Sequence, residues 1–209
     1  MKNISLSLIL AVVAFNMQSV AQDADDDIKT VFGKDTEIKG FASFDTKLTD
    51  FNEEKALFLG GHGGVILNKH IILGIGGYGM TTRNDFNGII PGRKLDLYSG
   101  YGGLVFGYII APKEVIHITL PLLLGAGGIE VVDHHVANTI DDRGATVERS
   151  VYFVAEPSLQ IEVNVTRFFR FAIGGGYRFV QGTDLKNNQV EDKDLTSWTA
   201  NISFKLGKF

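Results

Sequence analysis

The chain has 209 residues, 44% of them hydrophobic, a net charge of −4 and no cysteine. That length suits one domain, and the mildly acidic balance excludes the basic footprint of a nucleic-acid binder. The lack of cysteine excludes a disulfide framework, thiolate metal sites and a lipid anchor on a cysteine after a leader.

Residues 1–21 read as a signal peptide. Lys2 supplies the positive start, Leu6 to Phe15 the apolar run, and Ser19-Val20-Ala21 a small-x-small cleavage site before Gln22. The run is about half the ~20 residues that a membrane helix needs, which argues against an anchoring span. Residues 22–35 begin with the acidic run Gln22 to Asp27 and read as a solvated periplasmic segment. Residues 36–209 form the folded domain.

That domain divides into eight predicted strands, at 37–48, 56–67, 70–82, 95–110, 115–132, 150–165, 167–180 and 196–209. Successive side chains of a strand point to opposite faces, and several segments keep that period with apolar residues on one face only. In the first, Ile38, Ala42, Phe44 and Leu48 oppose Glu37, Lys39, Asp45 and Lys47. The sixth sets Phe153, Ala155, Leu159, Ile161 and Val163 against Glu156, Ser158, Gln160, Glu162 and Asn164, with Val154 as an exception. In the seventh, Phe169, Phe171, Ile173, Tyr177 and Phe179 oppose Arg170 and Arg178. The last is the cleanest: Trp198, Ala200, Ile202, Phe204 and Leu206 alternate with Thr199, Asn201, Ser203 and Lys205. The third and fourth are apolar or glycine on both faces, which leaves their parity open.

Most segments are as long as, or longer than, the 9–11 residues that a tilted strand needs to cross hydrocarbon. Their connections also alternate. Three are tight, around 68–69, 111–114 and 165–166, and four are polar and mostly longer, at 49–55, 83–94, 133–149 and 181–195. Two-faced strands joined by short turns at one end and longer loops at the other predict an eight-stranded antiparallel transmembrane β-barrel. Short turns and both termini then face the periplasm, and the loops face outward. No later segment has an apolar run of membrane-helix length, so a membrane-embedded domain would have to be such a barrel.

Gly74 to Gly79 matches the G-x-G-x-x-G dinucleotide pattern, but that motif needs a helix after it, and a polar loop follows instead. Similar clusters recur at 60–64, 100–107, 125–128 and 174–176, which reads as glycine where a narrow barrel bends.

The charges on the polar face predict a lumen network of Asp45, Lys47, Glu156, Glu162, Arg170, Arg178 and Lys205. A turn at 165–167 sets Glu162 opposite Arg170 and Glu156 near Arg178. An eight-stranded barrel is just wide enough for side chains to fill it, so these charges read as a salt-bridged plug, with a gated ion path as the functional alternative. His62 and His117 also face the lumen and are possible ligand contacts there. His134, His135 and Asp133, in the third long loop, are weak candidates for a divalent metal, though adjacent histidines have no defined ligand spacing. Pro121 and Pro157 lie inside strands, where each removes a ladder donor. They read as two bulges, or as one weakened seam through which a lipid or apolar ligand passes sideways.

The eight strands, the loop asymmetry and the terminal Phe209 resemble the small outer-membrane barrels, the group of the OmpA transmembrane domain and OmpX. The runs 60–65, 74–79 and 101–109 are similar to uncharacterised glycine-rich barrels of Bacteroidota. The resemblance implies a monomer in the outer membrane, in contact with its lipid. It also implies recognition by the barrel-assembly machinery through the last strand, although Phe209 is out of phase with Trp198 to Leu206. The expected role is structural, surface or ligand-binding, without catalysis or cofactor. A lipid-modifying barrel enzyme needs a histidine near a serine at the outer rim. The third loop offers His134, His135, Glu148 and Ser150, but not the His-x-Ser spacing of such deacylases. A soluble ligand-binding barrel, with apolar faces inward, is the third reading.

Overall fold

A computed structural model describes residues 36–51, 54–82, 84–87, 94–133, 145–185 and 190–209. Its strands are β1 (Ile38–Phe51), β2 (Glu54–Leu67), β3 (Ile71–Met80), β4 (Asn84–Asn87), β5 (Lys94–Ile110), β6 (Ile116–Asp133), β7 (Ala145–Asn164), β8 (Phe169–Gln181) and β9 (Ser197–Gly207), with one short helix, α1 (Asp192–Leu195), before β9. The antiparallel order β3-β2-β1-β9-β8-β7-β6-β5-β4, with β3 also paired to β5, closes eight strands into a barrel and leaves β4 as a spur on β5. The signal-peptide reading and the acidic run lie outside the described residues.

The eight main strands fall within a few residues of their predicted positions, and the largest differences lie at the loop end. β1 and β2 run on to a Phe51–Glu54 pair, so only residues 52–53 separate them where a longer loop was expected. β7 begins at Ala145 rather than 150, because the β6–β7 ladder continues past a bulge at Val131/Val132. β4 and α1 fall inside segments that polarity alone marked as loops.

Alternation places the two faces. In β9, Thr199, Asn201, Ser203 and Lys205 are buried while Trp198, Ile202, Phe204 and Leu206 are exposed. The same division covers Phe44 and Leu48 on β1, Leu159 and Ile161 on β7, and Ile173 and Phe179 on β8, all exposed. The strands of open parity are decided by their tyrosines: Tyr78 of β3 and Tyr101 of β5 point inward. Opposite in phase, Gly77, Gly102 and Ala126 lie in register on β3, β5 and β6, as do Gly79, Gly100 and Gly128. Here the wall carries rings inside and bare backbone outside.

The turn at Asn68-Lys69 shows how local chemistry sets the register. Both residues have positive φ (48° and 66°), and His70 donates its N–H to the Leu67 carbonyl at 3.0 Å. This is the hairpin geometry whose twist matches its flanking strands, and asparagine tolerates it well. A second constraint is close approach. A Cβ on Gly125 would strike the Gly102 carbonyl oxygen, and one on Gly103 the Leu124 oxygen. Gly125→Ala should therefore cost about 1–3 kcal/mol through backbone displacement. At Gly79 a Cβ would meet nothing within 4 Å, so alanine there should be accepted within about 0.5 kcal/mol. Urea titration of the refolded variants checks both values.

Candidate functional site

Among the described residues, three buried carboxylates stand on inward positions of β1 and β7, each surrounded by donors from other strands. Nearest the short turns, Glu162 accepts from Arg170 Nη1 at 3.0 Å, from Lys205 Nζ at 2.6 Å and from Thr119 Oγ1 at 3.1 Å. His117 Nε2 lies 3.3 Å from the same carboxylate, and Lys205 also donates to Gln160 Oε1 at 3.0 Å. Midway, Asp45 meets His62 Nδ1 at 2.7 Å and accepts from Tyr78 Oη at 2.8 Å and Ser43 Oγ at 2.6 Å. Toward the loops, Glu156 accepts from Lys47 Nζ at 2.8 Å, Thr199 Oγ1 at 3.2 Å and Tyr101 Oη at 2.6 Å. Lys47 also sits 3.5 Å from the centroid of the Tyr78 ring, a buried cation–π contact.

Two predicted neighbours come out differently. Glu162 pairs in register with Ala172, and Arg170 with Asn164, because residues 165–169 rather than 165–167 lie between the last paired positions of β7 and β8. Arg170 reaches Glu162 diagonally instead. Arg178 forms no ion pair with Glu156 among the described residues. It donates to the Leu195 carbonyl at 3.0 Å, to Thr49 Oγ1 at 3.3 Å and to the Asp50 carbonyl at 3.4 Å. Phe51, Phe58 and Tyr101 flank its guanidinium at 5.1–5.7 Å. Arg178 thus ties the α1 segment to the end of β1.

Described residues pack over both ends of the lumen. At the loop end, Leu185, Val190 and Leu195 join Phe51, Phe58, Leu97 and Val180 in one buried apolar cluster. Asp192 braces this cap by accepting the N–H groups of Gly182 and Thr183 at 3.1 and 2.7 Å. Partial burial pushes its carboxyl up, and these donors more than offset that, holding it below the usual carboxylate range. At the turn end, the chain leaves β9 after Gly207, and the Phe209 ring packs 3.9 Å from the Arg170 guanidinium. The phase slip of Phe209 therefore has a physical cause: the terminal ring turns in over the lumen.

Pro121 faces the lumen side and Pro157 the outer side, and neither sits at a bulge: among the described residues the β6–β7 register shifts only at Val131/Val132. The ladder lapses instead. β6–β7 pairing passes from Thr119↔Gln160 to Leu122↔Pro157, and β7–β8 pairing from Ala155↔Phe179 to Ser158↔Gly176, with register unchanged. The space behind this seam is a cavity of about 20 Å³ whose lining includes Lys47, His62 and Glu156. That volume and polarity leave no room for a hydrocarbon chain.

Among the described residues no group of three metal-ligating side chains converges. His134 and His135 lie outside the described residues, as does the side chain of Asp133. Ser150 Oγ accepts the Asp184 N–H at 2.8 Å, which gives it a structural part at the loop end. Ser43 beside His62 donates to Asp45 rather than to the ring.

Sequence reasoning missed Tyr78, Tyr101, Thr119, Thr199 and Ser43, the neutral donors that complete the ionic groups, and Gln160, which accepts from Lys205. The first two carried a usable signal. They are the polar-tipped residues on glycine-rich strands, and a bare outer wall needs bulk inside.

The architecture is similar to that of solved barrels. Neisserial surface protein A (NspA) superposes with a TM-score of 0.54 at 12% identity, covering 84% of this chain and 100% of that one. The N-terminal β-barrel domain of Pseudomonas aeruginosa OprF gives 0.46 at 12% identity, covering 82% and 99%. Ail, the attachment invasion locus protein of Yersinia pestis, gives 0.42 at 12% identity, covering 82% and 98%. The fold is that of the small eight-stranded outer-membrane barrels. No family model and no curated protein matches the chain in sequence.

Glu162 offers the sharpest energetic test of the lumen. Glu162→Gln leaves Arg170 and Lys205 buried without their counter-charge, and should cost about 3–5 kcal/mol in equilibrium unfolding. The exposed Lys55–Asp50 pair should contribute no more than about 1 kcal/mol when Lys55 is replaced by glutamine.

Proposed function

We propose that this chain is an exported barrel that sits in the outer membrane with lipid against its wall, and that its role is structural, surface or ligand-binding rather than catalytic. The observation that carries this reading is the sorting of side chains. The large apolar residues of β1, β7, β8 and β9 stand on the outside, while Asp45, Lys47, Glu156, Glu162, Arg170, Arg178 and Lys205 are buried within. A soluble ligand-binding barrel reverses that arrangement. In water this surface would be an aggregation liability, and in hydrocarbon it is the favourable one.

Several features support the finer points. Exposed Trp198, Phe179 and Phe153 lie toward the long loops, and Tyr108 and Phe168 toward the short turns, as two interfacial belts would. The paired lumen and the apolar cap favour a plug over an open pore. The signal-peptide pattern supports export, and the alternating last strand supports recognition by the assembly machinery. The inward Phe209 means that this recognition would precede closure of the lumen mouth.

Depth-dependent substitution tests the membrane reading. In bilayers, Ile202→Arg near the middle of β9 should cost about 2–4 kcal/mol, and Leu206→Arg near the turn end about 0–1 kcal/mol. Equal costs at both positions would reject it. Fractionation with outer membranes and heat-modifiable gel migration are the matching cellular and biochemical readouts.

A further inference from the structure

The cavity behind the proline seam joins three observations that the plug alone does not use. First, its volume is about 20 Å³, above the ~10–15 Å³ that one water needs. Second, two side chains on its lining, His62 and Asn201, are each 7% exposed, and His62 Nε2 and Asn201 Oδ1 have no hydrogen-bond partner within the protein. Third, Pro121 and Ser158, which face each other where the β6–β7 ladder lapses, line the same cavity.

The chemistry of the two atoms specifies their partner. His62 Nδ1 lies against the Asp45 carboxylate at 2.7 Å, which places a proton on Nδ1, and in the neutral ring that leaves the Nε2 lone pair as an acceptor. Asn201 Oδ1 is also an acceptor. Two acceptors cannot satisfy each other, and an unmet buried acceptor costs about 1–3 kcal/mol. A small molecule with two donors and a lone pair to receive satisfies both. We propose that the cavity is a binding site for a single water, which donates to His62 Nε2 and Asn201 Oδ1. Ser158 and Lys47, on the same lining, carry the donors that its own lone pairs can accept. The water joins the Asp45–His62 pair to the Glu156–Lys47 group and bridges the wall where the prolines interrupt it. This assignment rests on the lumen alone and stands apart from the membrane reading.

A crystal structure of the full chain in detergent, at about 1.8 Å, tests the site. The expected result is one solvent peak within about 3.2 Å of both His62 Nε2 and Asn201 Oδ1. A direct His62–Asn201 hydrogen bond, or no peak between them, overturns the proposal. In solution, water-to-ring cross-relaxation at His62 should be present in the wild type and lost in Asn201→Leu, which fills the space and removes one acceptor. Persistence of the signal in that variant also overturns it. If Asn201→Leu does not fold, Asn201→Val serves, and the wild-type crystal result decides alone.

Discussion

An eight-stranded barrel is only as wide as the side chains that fill it, and every polar choice in this chain follows from that limit. Charge inside so narrow a space is cut off from water. A carboxylate there survives only when cations and hydroxyls surround it, because the desolvation of an unpaired ion costs several kcal/mol. Glu162 and Glu156 each have such a shell, and Asp45 is held by His62, Tyr78 and Ser43. The pairing of β1 with β9 that closes the barrel is therefore also what brings Lys47 to Glu156 on β7, while Lys205 reaches Glu162 across β8. Closure and charge satisfaction are one event.

The same limit explains the glycines. Tyr78 and Tyr101 pack against each other inside, with ring centroids 5.4 Å apart. Next to them the wall must bend tightly, and at Gly103 and Gly125 the neighbouring carbonyl occupies the place of a side chain. Bulk has moved from the outer to the inner face along β3 and β5. The outer rows Gly77–Gly102–Ala126 and Gly79–Gly100–Gly128 are the counterpart of that move.

Where one face of a strand is polar, its facing could be read directly from the sequence, as in β1, β7, β8 and β9. Where glycine occupies both faces, as in β3 and β5, period two has no contrast to show, and only the packing of Tyr78 and Tyr101 decides. The lumen charges could be picked out by parity, but their partners could not. A turn two residues longer or shorter changes which residues are opposite, and long side chains then choose diagonal neighbours, as Arg170 does with Glu162. The partners of Arg178 were beyond reach because, besides Thr49 Oγ1, they are the carbonyls of Leu195 and Asp50, which carry no residue identity. The prolines were correctly singled out as breaks in the ladder. That they lapse the pairing without shifting the register depends on both neighbouring strands at once.

The proposed plug, a lumen filled and neutralised rather than open, has a direct electrical signature. Ion conductance of the purified, refolded protein in planar bilayers measures it. A barrel plugged by Glu162, Glu156 and their partners, and capped by α1 and Phe209, predicts no steady conductance above that of the bare bilayer. A large, steady current carried by the folded wild-type chain would contradict it.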